Sequence, residues 1–299
     1  MTEATAAPGS NLGVWVRAAR PRTLVAGAAP IAVGTGVAAH AGAARPLLAA
    51  VAMLAVVVLQ IGVNLANDAE DFERGADAPD RLGPTRVTQA GLLPARAVKR
   101  AAYACFVLAA TLGVLLAIAG GPVILILGVV SVIFAYLYTG GPWPLAYHGL
   151  GDLLALVFFG LVAVTGTALL QAGHVPAVGW IAWVPVGALA TGILVCNNLR
   201  DRHTDARAGK RTLAVRIGRT ATRVEYTALV AASFAVPLVV WRAGLTGPWP
   251  LVAWLALPLA VPPLRLVLRE DGAALNRALA ATARLELVFC LLFAAGLAP

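Results

Sequence analysis

Residues 46–71, PLLAAVAMLAVVVLQIGVNLANDAED, decide the fold. Their apolar part is about twenty residues long, enough to cross the hydrocarbon core of a bilayer as a helix. It runs directly into a cluster of amide and carboxylate side chains. The stretch therefore predicts a transmembrane helix that carries hard oxygen ligands at one end. Similar apolar runs recur along the rest of the chain, and a similar amide and carboxylate cluster recurs once.

The composition supports this interpretation. The chain has 299 residues, of which 60% are hydrophobic and 12% charged, with a net charge of +9. An ordinary soluble domain has about 25% charged residues. The high apolar content excludes a disordered chain, and three cysteines exclude a disulfide-stabilised secreted scaffold. A nucleic-acid-binding protein would explain the charge but not the mean hydropathy of +0.83. The composition predicts a polytopic membrane protein.

Long apolar runs without period-2 alternation predict an all-α protein rather than a β-barrel. On one side of a nine-span arrangement lie 21 of the 23 Lys and Arg residues, with Arg45 and Arg242 on the other. By the positive-inside rule we expect a single transmembrane domain over residues 1–299, with a cytoplasmic N-terminus and an outside C-terminus. The nine predicted spans are about 23–41, 46–67, 101–119, 121–138, 149–171, 177–198, 222–241, 248–267 and 279–297.

Most of the charge lies in two segments, 68–100 and 200–223, which together hold 22 of the 37 charged side chains. Each follows a span that runs from outside to inside. The sequence therefore predicts cytoplasmic active-site loops at about 68–100 and 199–221. The alternative is that these are ordinary solvated loops whose acids balance their bases.

The first acidic cluster contains Asn64, Asp68 and Asp71. Their spacing of four and then three residues places them on one face if the segment is helical. Ionisable residues within or beside apolar helices are costly and are usually functional. We therefore treat this face as a candidate ligand site.

The second cluster repeats the Asn-x-x-x-Asp core with Asn197, Asp201 and Asp205. Each cluster ends the second helix of a predicted four-helix set. This arrangement predicts two four-helix repeats plus one helix, with two acidic faces meeting across a central cavity. Asp and Asn oxygens suit Mg²⁺, which keeps waters and phosphate oxygens among its ligands. Two such sets predict two Mg²⁺ ions around one diphosphate, with nearby basic residues on the remaining phosphate oxygens.

At these residues the sequence resembles the UbiA superfamily of intramembrane aromatic prenyltransferases, and in particular the 1,4-dihydroxy-2-naphthoate polyprenyltransferases. The resemblance covers about residues 17–220, whereas the last third shares only its hydrophobicity and span count. The stretches that carry it are RPRTL at 20–24, NDAED at 67–71 with GAD at 75–77, GPTRVTQAG at 83–91, YTGGP at 138–142 with YHGLGD at 147–152, and NNLRD at 197–201 with GKRTL at 209–213.

The resemblance implies a role for each cluster. One Mg²⁺ would be held by Asp68 and Asp71 with Asn64, and the other by Asp201 and Asp205 with Asn197. Further residues match positions that bind substrate, with the alternative that the basic ones only set topology. The candidates for the diphosphate side are Asn67, Arg81, Arg86 and Lys210.

Three residues are candidates for the chemistry of the acceptor. Arg20 opens the first helix, where it would meet the carboxylate of the aromatic substrate or serve only as a topology signal. Tyr138 would stabilise an allylic cation through its ring, or belong to the interfacial aromatic belt. Asp152 would orient the aromatic hydroxyl, or cap a helix N-terminus.

The resemblance implies transfer of a polyprenyl group from polyprenyl diphosphate to 1,4-dihydroxy-2-naphthoate, with loss of CO₂ and diphosphate, at the cytoplasmic face of a bacterial plasma membrane. The expected partners are these two substrates and the lipid bilayer, with no nucleic acid. Rival acceptors are 4-hydroxybenzoate, homogentisate, a chlorin or phosphoribosyl diphosphate. A transporter is the rival from another class, and a purely structural membrane protein is a weaker one. Isoprenoid length and oligomeric state stay open.

Overall fold

The computed structural model describes residues 11–75 and 82–299. Within these ranges the chain is all-helical and has no β-strand, which confirms the predicted class. Of the predicted site residues, Arg81 lies outside the described residues, as does Asp77 of the Gly-Ala-Asp stretch.

A short helix, α1 (Asn11–Ala19), precedes a series of longer ones. In the described part of the chain, eight helical segments are long and apolar enough to span a membrane, so the chain is a multi-pass membrane protein. Helix α5 is apolar but has 16 residues, so the count of nine spans stays a prediction. The longer helices are α2 (Pro21–His40), α3 (Pro46–Glu73), α4 (Ala95–Gly120), α5 (Pro122–Leu137), α6 (Gly151–Ala172), α7 (Gly179–Arg207), α8 (Leu213–Arg242), α9 (Trp249–Arg269) and α10 (Leu275–Leu297).

Local sequence explains several helix boundaries. Proline occupies the first helical position of α2, α3 and α5. A backbone N–H at that position would have no partner within the helix, so proline loses no hydrogen bond there. Gly121 separates α4 from α5 with a φ of 80°, a conformation that glycine adopts without steric cost. Gly120, Gly121 and Pro122 therefore form a tight turn between α4 and α5.

The two acid-bearing helices are longer than their apolar spans. Helix α3 continues to Glu73 and α7 continues to Arg207, so both acidic clusters are helical. The predicted loops that start at 68 and 199 therefore begin later, after these helix ends. The physical reason is that a buried backbone keeps its hydrogen bonds by staying helical, and most of the acidic side chains are buried.

Helix α6 is not regular, because Leu156–Val162 forms a π-helical segment. Phe158, Phe159 and Val162 of this segment line the central cavity. Short π-helical segments within α-helices are frequently found at functional sites. The predicted span 149–171 gave no indication of it.

Glycines allow the helices to close around the cavity. A Cβ at Gly36 would lie 2.6 Å from the carbonyl oxygen of Ala294, where α2 meets α10. A Cβ at Gly34 would lie 2.6 Å from the carbonyl oxygen of Val164, where α2 meets α6. These are backbone-to-backbone approaches of the small-residue type found between membrane helices. Helix α10 packs on both α2 and α7, so the last long helix contacts the first one.

Candidate active site

A cavity of about 360 Å³ lies between helices α2 to α7. Its inner part is apolar and reaches Ile31, Ala52 and Ile124. Asp71 and Ala52, both on α3, are separated by about 28 Å of helix, so the cavity is long and has one polar end. We call this polar end the mouth and define it by five lining residues: Arg20, Asn67, Asp71, Arg86 and Lys210.

Asp71 is the centre of the mouth. Its Oδ2 accepts a hydrogen bond of 2.8 Å from Arg86 and lies 3.6 Å from Nζ of Lys210. Its Oδ1 accepts a hydrogen bond of 2.8 Å from the Tyr147 hydroxyl. Both Asp71 and Arg86 are buried, so this ion pair is weakly screened by solvent. One carboxylate and two cations are thus gathered at one point.

Asp68 has a different environment from Asp71. Its carboxylate accepts hydrogen bonds from the backbone N–H of Val87, at 3.2 Å, and of Thr88, at 2.9 Å. Its Oδ2 is also 3.9 Å from the Arg20 guanidinium. Asp68 does not line the cavity. In this structure it anchors the segment that carries Arg86, and a metal role for it stays a prediction.

The two asparagines of α3 hold neighbouring elements. Asn64 donates from Nδ2 to the carbonyl oxygen of Ala19, at 2.8 Å, and to the hydroxyl of Thr23, at 3.0 Å. Asn67 accepts a bond of 2.5 Å from Thr139. Both asparagines line the cavity. Asn64 therefore ties α3 to the junction of α1 and α2.

Arg20 occupies that junction in a strained conformation. Its φ of 52° is left-handed, and it is the only described non-glycine residue with a positive φ. Such a backbone costs roughly 1–3 kcal/mol and persists where the surroundings determine it, often at functional sites. The Asn64 bond to Ala19 supplies part of that determination. Arg20 lines the mouth, and its role towards a substrate stays a prediction.

In the second cluster, Asp201 is paired with the preceding residue of its own helix. Arg200 donates to both carboxylate oxygens of Asp201, at 2.8 and 2.5 Å. It also bonds the side-chain oxygens of Asn197 and Asn276, each at 2.7 Å. Asn197 lines the cavity, whereas Asp201 does not. Sequence reasoning missed Arg200, although its place beside Asp201 in a buried helix was a signal.

The loop after α7 brings the two clusters together. Gly209 has a left-handed φ of 72°, which ends α7 and turns the chain. The backbone N–H of Lys210 donates to the carbonyl oxygen of Asp205 at 2.8 Å, and its ammonium reaches Asp71. Asp205 is partly exposed and does not line the cavity.

Tyr138 and Asp152 line the cavity just inside the mouth. Leu150 occupies the N-cap position of α6, so Asp152 is not its cap. Asp152 is buried and accepts a bond of 3.4 Å from Asn198, while its Oδ2 has no hydrogen-bond partner among the described residues.

Sequence reasoning also missed Tyr147 and Asn198. Tyr147 contacts Asp71, and its pKa is raised by burial and by the adjacent Asp71 carboxylate. Both residues stand inside the motif stretches, where their position was the only signal. Neither carries a charge, and a charge pattern therefore could not select them.

The mouth offers the donors that Mg²⁺ prefers. Asn67 and Asp71 are oxygen donors at the cavity wall, with Asn197 on the second helix. In the described ranges, no three His, Cys, Asp or Glu side chains are grouped so as to hold one ion. This fits an ion that takes one or two protein carboxylates and completes its shell with phosphate oxygens and water. A dedicated all-protein cage is not present in those ranges.

Comparisons with known proteins identify the family of the chain. A model of the UbiA prenyltransferase family matches residues 28–292, and the chain belongs to this family. Its relatives include a protein from Mycobacterium tuberculosis named 1,4-dihydroxy-2-naphthoate octaprenyltransferase, 44% identical over 84% of this chain and 85% of that protein. A protein of the same name from Mycobacterium leprae is 40% identical over 89% and 93%. The predicted subfamily resemblance is confirmed.

A solved structure shows the same fold. It is described as a UbiA homolog from Archaeoglobus fulgidus bound to GPP and Mg²⁺, and it superposes with a TM-score of 0.68 at 17% identity. The match covers 96% of this chain and all of the other. At that identity the match establishes the fold alone.

Proposed function

We propose that this protein transfers a polyprenyl group from polyprenyl diphosphate to 1,4-dihydroxy-2-naphthoate, giving demethylmenaquinol, CO₂ and diphosphate. The observation that carries the proposal is the mouth, where Asp71, Arg86 and Lys210 meet at the end of a long apolar cavity. Such a cavity suits a molecule with a charged head and a long hydrocarbon tail. The names of the relatives supply the acceptor.

The proposed diphosphate site is built from both clusters. Arg86 and Lys210 would bind phosphate oxygens, with Asn67 as a further contact and Arg81 as a candidate outside the described residues. We propose that two Mg²⁺ ions are used, one near α3 and one near α7. When bound, Mg²⁺ would neutralise the charge that develops on the leaving diphosphate. The proposed ligands are Asn64, Asp68, Asp71, Asn197, Asp201 and Asp205.

The proposed reaction begins with cleavage of the allylic C–O bond, and its electron pair leaves with the diphosphate. The naphthoate ring attacks the allylic cation through the carbon that bears the carboxylate. Loss of CO₂ returns the electron pair of that C–C bond to the ring, so no further oxidant or proton is required. The apolar cavity excludes water, which would otherwise capture the cation.

The acceptor would lie between the mouth and Tyr138. Arg20 would bind its carboxylate, and Asp152, supported by Asn198, would orient a hydroxyl group. The ring of Tyr138 would face the allylic cation. We propose that the mouth opens to the cytoplasm of a bacterial cell, with the single domain in the plasma membrane, because most Lys and Arg residues lie at that face of the predicted topology.

The test uses purified protein in detergent with polyprenyl diphosphate, Mg²⁺ and one acceptor at a time. We expect demethylmenaquinol and stoichiometric CO₂ with 1,4-dihydroxy-2-naphthoate, and no product after chelation of Mg²⁺. If only 4-hydroxybenzoate or homogentisate were prenylated, 1,4-dihydroxy-2-naphthoate would be excluded as the acceptor. Diphosphate release without a membrane gradient would exclude a transporter as the primary activity.

A further inference from the structure

Tyr147 lies in a short 3₁₀ turn, Leu145–His148, within the segment that joins α5 to α6. Its hydroxyl donates to Oδ1 of Asp71, whereas Arg86 and Lys210 face Oδ2 of the same carboxylate. The phenol and the two cations thus act on different oxygens. Rotation of the carboxylate would therefore break one set of contacts, and the Asp71 side chain is held in one orientation.

Tyr147 also contacts the second half of the molecule. Its backbone carbonyl accepts a hydrogen bond of 3.0 Å from the N–H of Arg211. The centre of its ring is 5.2 Å from Nζ of Lys210, a distance at which a cation is attracted to the ring face. Lys210 and Arg211 lie directly after α7, the helix that carries the second cluster. One residue therefore links the first cluster with the loop of the second.

The joining segment has other attachments that do not need the Tyr147 side chain. Arg74 donates to the carbonyl oxygen of Gly141 at 2.6 Å, and the bond from Arg211 uses only the Tyr147 backbone. These bonds would hold the segment in place with any residue at position 147. The hydroxyl therefore acts on Asp71, whereas the ring contacts Lys210 at 5.2 Å and also the Arg74 guanidinium at 5.9 Å.

We propose that Tyr147 is a positioning residue for the ion and the diphosphate. Its hydroxyl orients Asp71, and its ring holds the Lys210 ammonium across the mouth. This inference rests on the proposed function, because it concerns the same mouth. Hydrogen-bond partners behind a metal-binding group typically contribute 10–100-fold in metal affinity or activity. The hydroxyl is separable from the ring by a single substitution.

The experiment compares Tyr147→Phe with Tyr136→Phe. Tyr136 is on α5, stands 6.3 Å from the ring of Tyr103 and does not line the cavity. Mn²⁺ binding is measured by electron paramagnetic resonance in detergent, with farnesyl thiolodiphosphate and without acceptor. We expect about tenfold weaker Mn²⁺ binding for Tyr147→Phe and wild-type binding for Tyr136→Phe. In steady-state assays, half-saturating Mg²⁺ should rise by about the same factor, while the KM for the acceptor stays constant.

Tyr147→Leu removes the ring as well, so we expect an additional rise in the KM for polyprenyl diphosphate. The proposal is overturned if Tyr147→Phe binds Mn²⁺ like the wild type, or if Tyr136→Phe loses as much. A fall in kcat with unchanged metal dependence would assign Tyr147 a purely structural role and would also overturn it. Because the binding measurement contains no acceptor, an unexpected acceptor would refute the proposed function without affecting this test.

Discussion

Helices α3 and α7 carry the same Asn-x-x-x-Asp pattern, yet their carboxylates are balanced in different ways. On α3, the partners of Asp71 are Arg86, Tyr147 and Lys210, which come from three other segments. On α7, the main partner of Asp201 is Arg200, the preceding residue in the chain. Both acids are buried.

This difference separates two uses of a buried acid. Asp71 gathers distant segments and lines the cavity, so its environment depends on the tertiary structure. Asp201 is neutralised by its own helix before any ligand arrives. We therefore expect a ligand at the second cluster to compete with Arg200 for the carboxylate. At the first cluster, a diphosphate would instead find two cations, Arg86 and Lys210, already in place.

The largest expected effect is at Asp71. Asp71→Asn keeps the shape of the side chain but removes the charge that faces Arg86 and Lys210. We expect kcat/KM for prenyl transfer to fall by about 10³-fold, the scale of losing one group that stabilises developing charge. The matched control is Glu73→Gln, near the same helix end, where the acid is exposed and pairs with Lys99. Activity of Asp71→Asn within about tenfold of wild type would remove Asp71 from the centre of the site.

The second largest effect is expected at Asp201, which either binds the ion or only neutralises Arg200. Asp201→Ala leaves a fully buried guanidinium without its carboxylate, so we expect a loss of about 3 kcal/mol in the free energy of unfolding. Adding Arg200→Met should restore most of it, because no unpaired charge then remains. The measurement is unfolding in mixed micelles with increasing dodecyl sulfate, alongside activity.

The activity of Asp201→Ala and of the double variant with Arg200→Met distinguishes the two roles of Asp201. If Asp201 binds the ion, the double variant recovers stability and remains inactive, while Arg200→Met alone retains the acid. An active double variant would mean that Asp201 serves Arg200 alone, and the two clusters would then differ in function as well as in setting.

A smaller effect is expected at Asp68, whose carboxylate accepts from two backbone N–H groups. Asp68→Asn offers one acceptor oxygen, so one buried N–H loses its partner at a cost of about 1.5 kcal/mol. Amide hydrogen exchange at Val87 and Thr88 should accelerate. Asp271→Asn, an exposed acid paired with Arg219, is the control. Unchanged exchange at Val87 and Thr88 would show that Asp68 does not anchor this segment.

The smallest effect concerns the Arg20 backbone, which has no counterpart at the second cluster. Arg20→Gly and Arg20→Ala both remove the guanidinium, so both should raise the KM for the acceptor equally. Only alanine meets the steric cost of the left-handed conformation, so it should be less stable than glycine by about 1 kcal/mol. Thermal unfolding in detergent measures the difference. Equal unfolding temperatures would mean that the backbone relaxes, and a constant KM would refute the carboxylate role.

Much of this arrangement follows from local pattern. The apolar runs predicted the helices. The spacing of Asn64, Asp68 and Asp71 predicted one shared face if the segment is helical, and the helix does continue through the first cluster to Glu73, past the predicted loop start at 68. What the spacing could not distinguish is the role of each acid. Asp68 and Asp71 are chemically identical, but the nearest groups of one are backbone amides and those of the other are cations from distant segments. Likewise, no residue pattern marks the π segment Leu156–Val162.

By itself the sequence determined that the chain crosses a membrane many times, and it predicted that two oxygen-rich helix ends belong to one site. The reason is that hydrophobic length and helical periodicity are local properties, visible in any stretch of about twenty residues. Only the tertiary structure decided which oxygens face the cavity, that Tyr147 connects the clusters, and that Arg200 neutralises Asp201. These contacts depend on which groups come together when the chain folds. A buried charge is costly unless it is paired, so its partners are the groups that the fold places beside it.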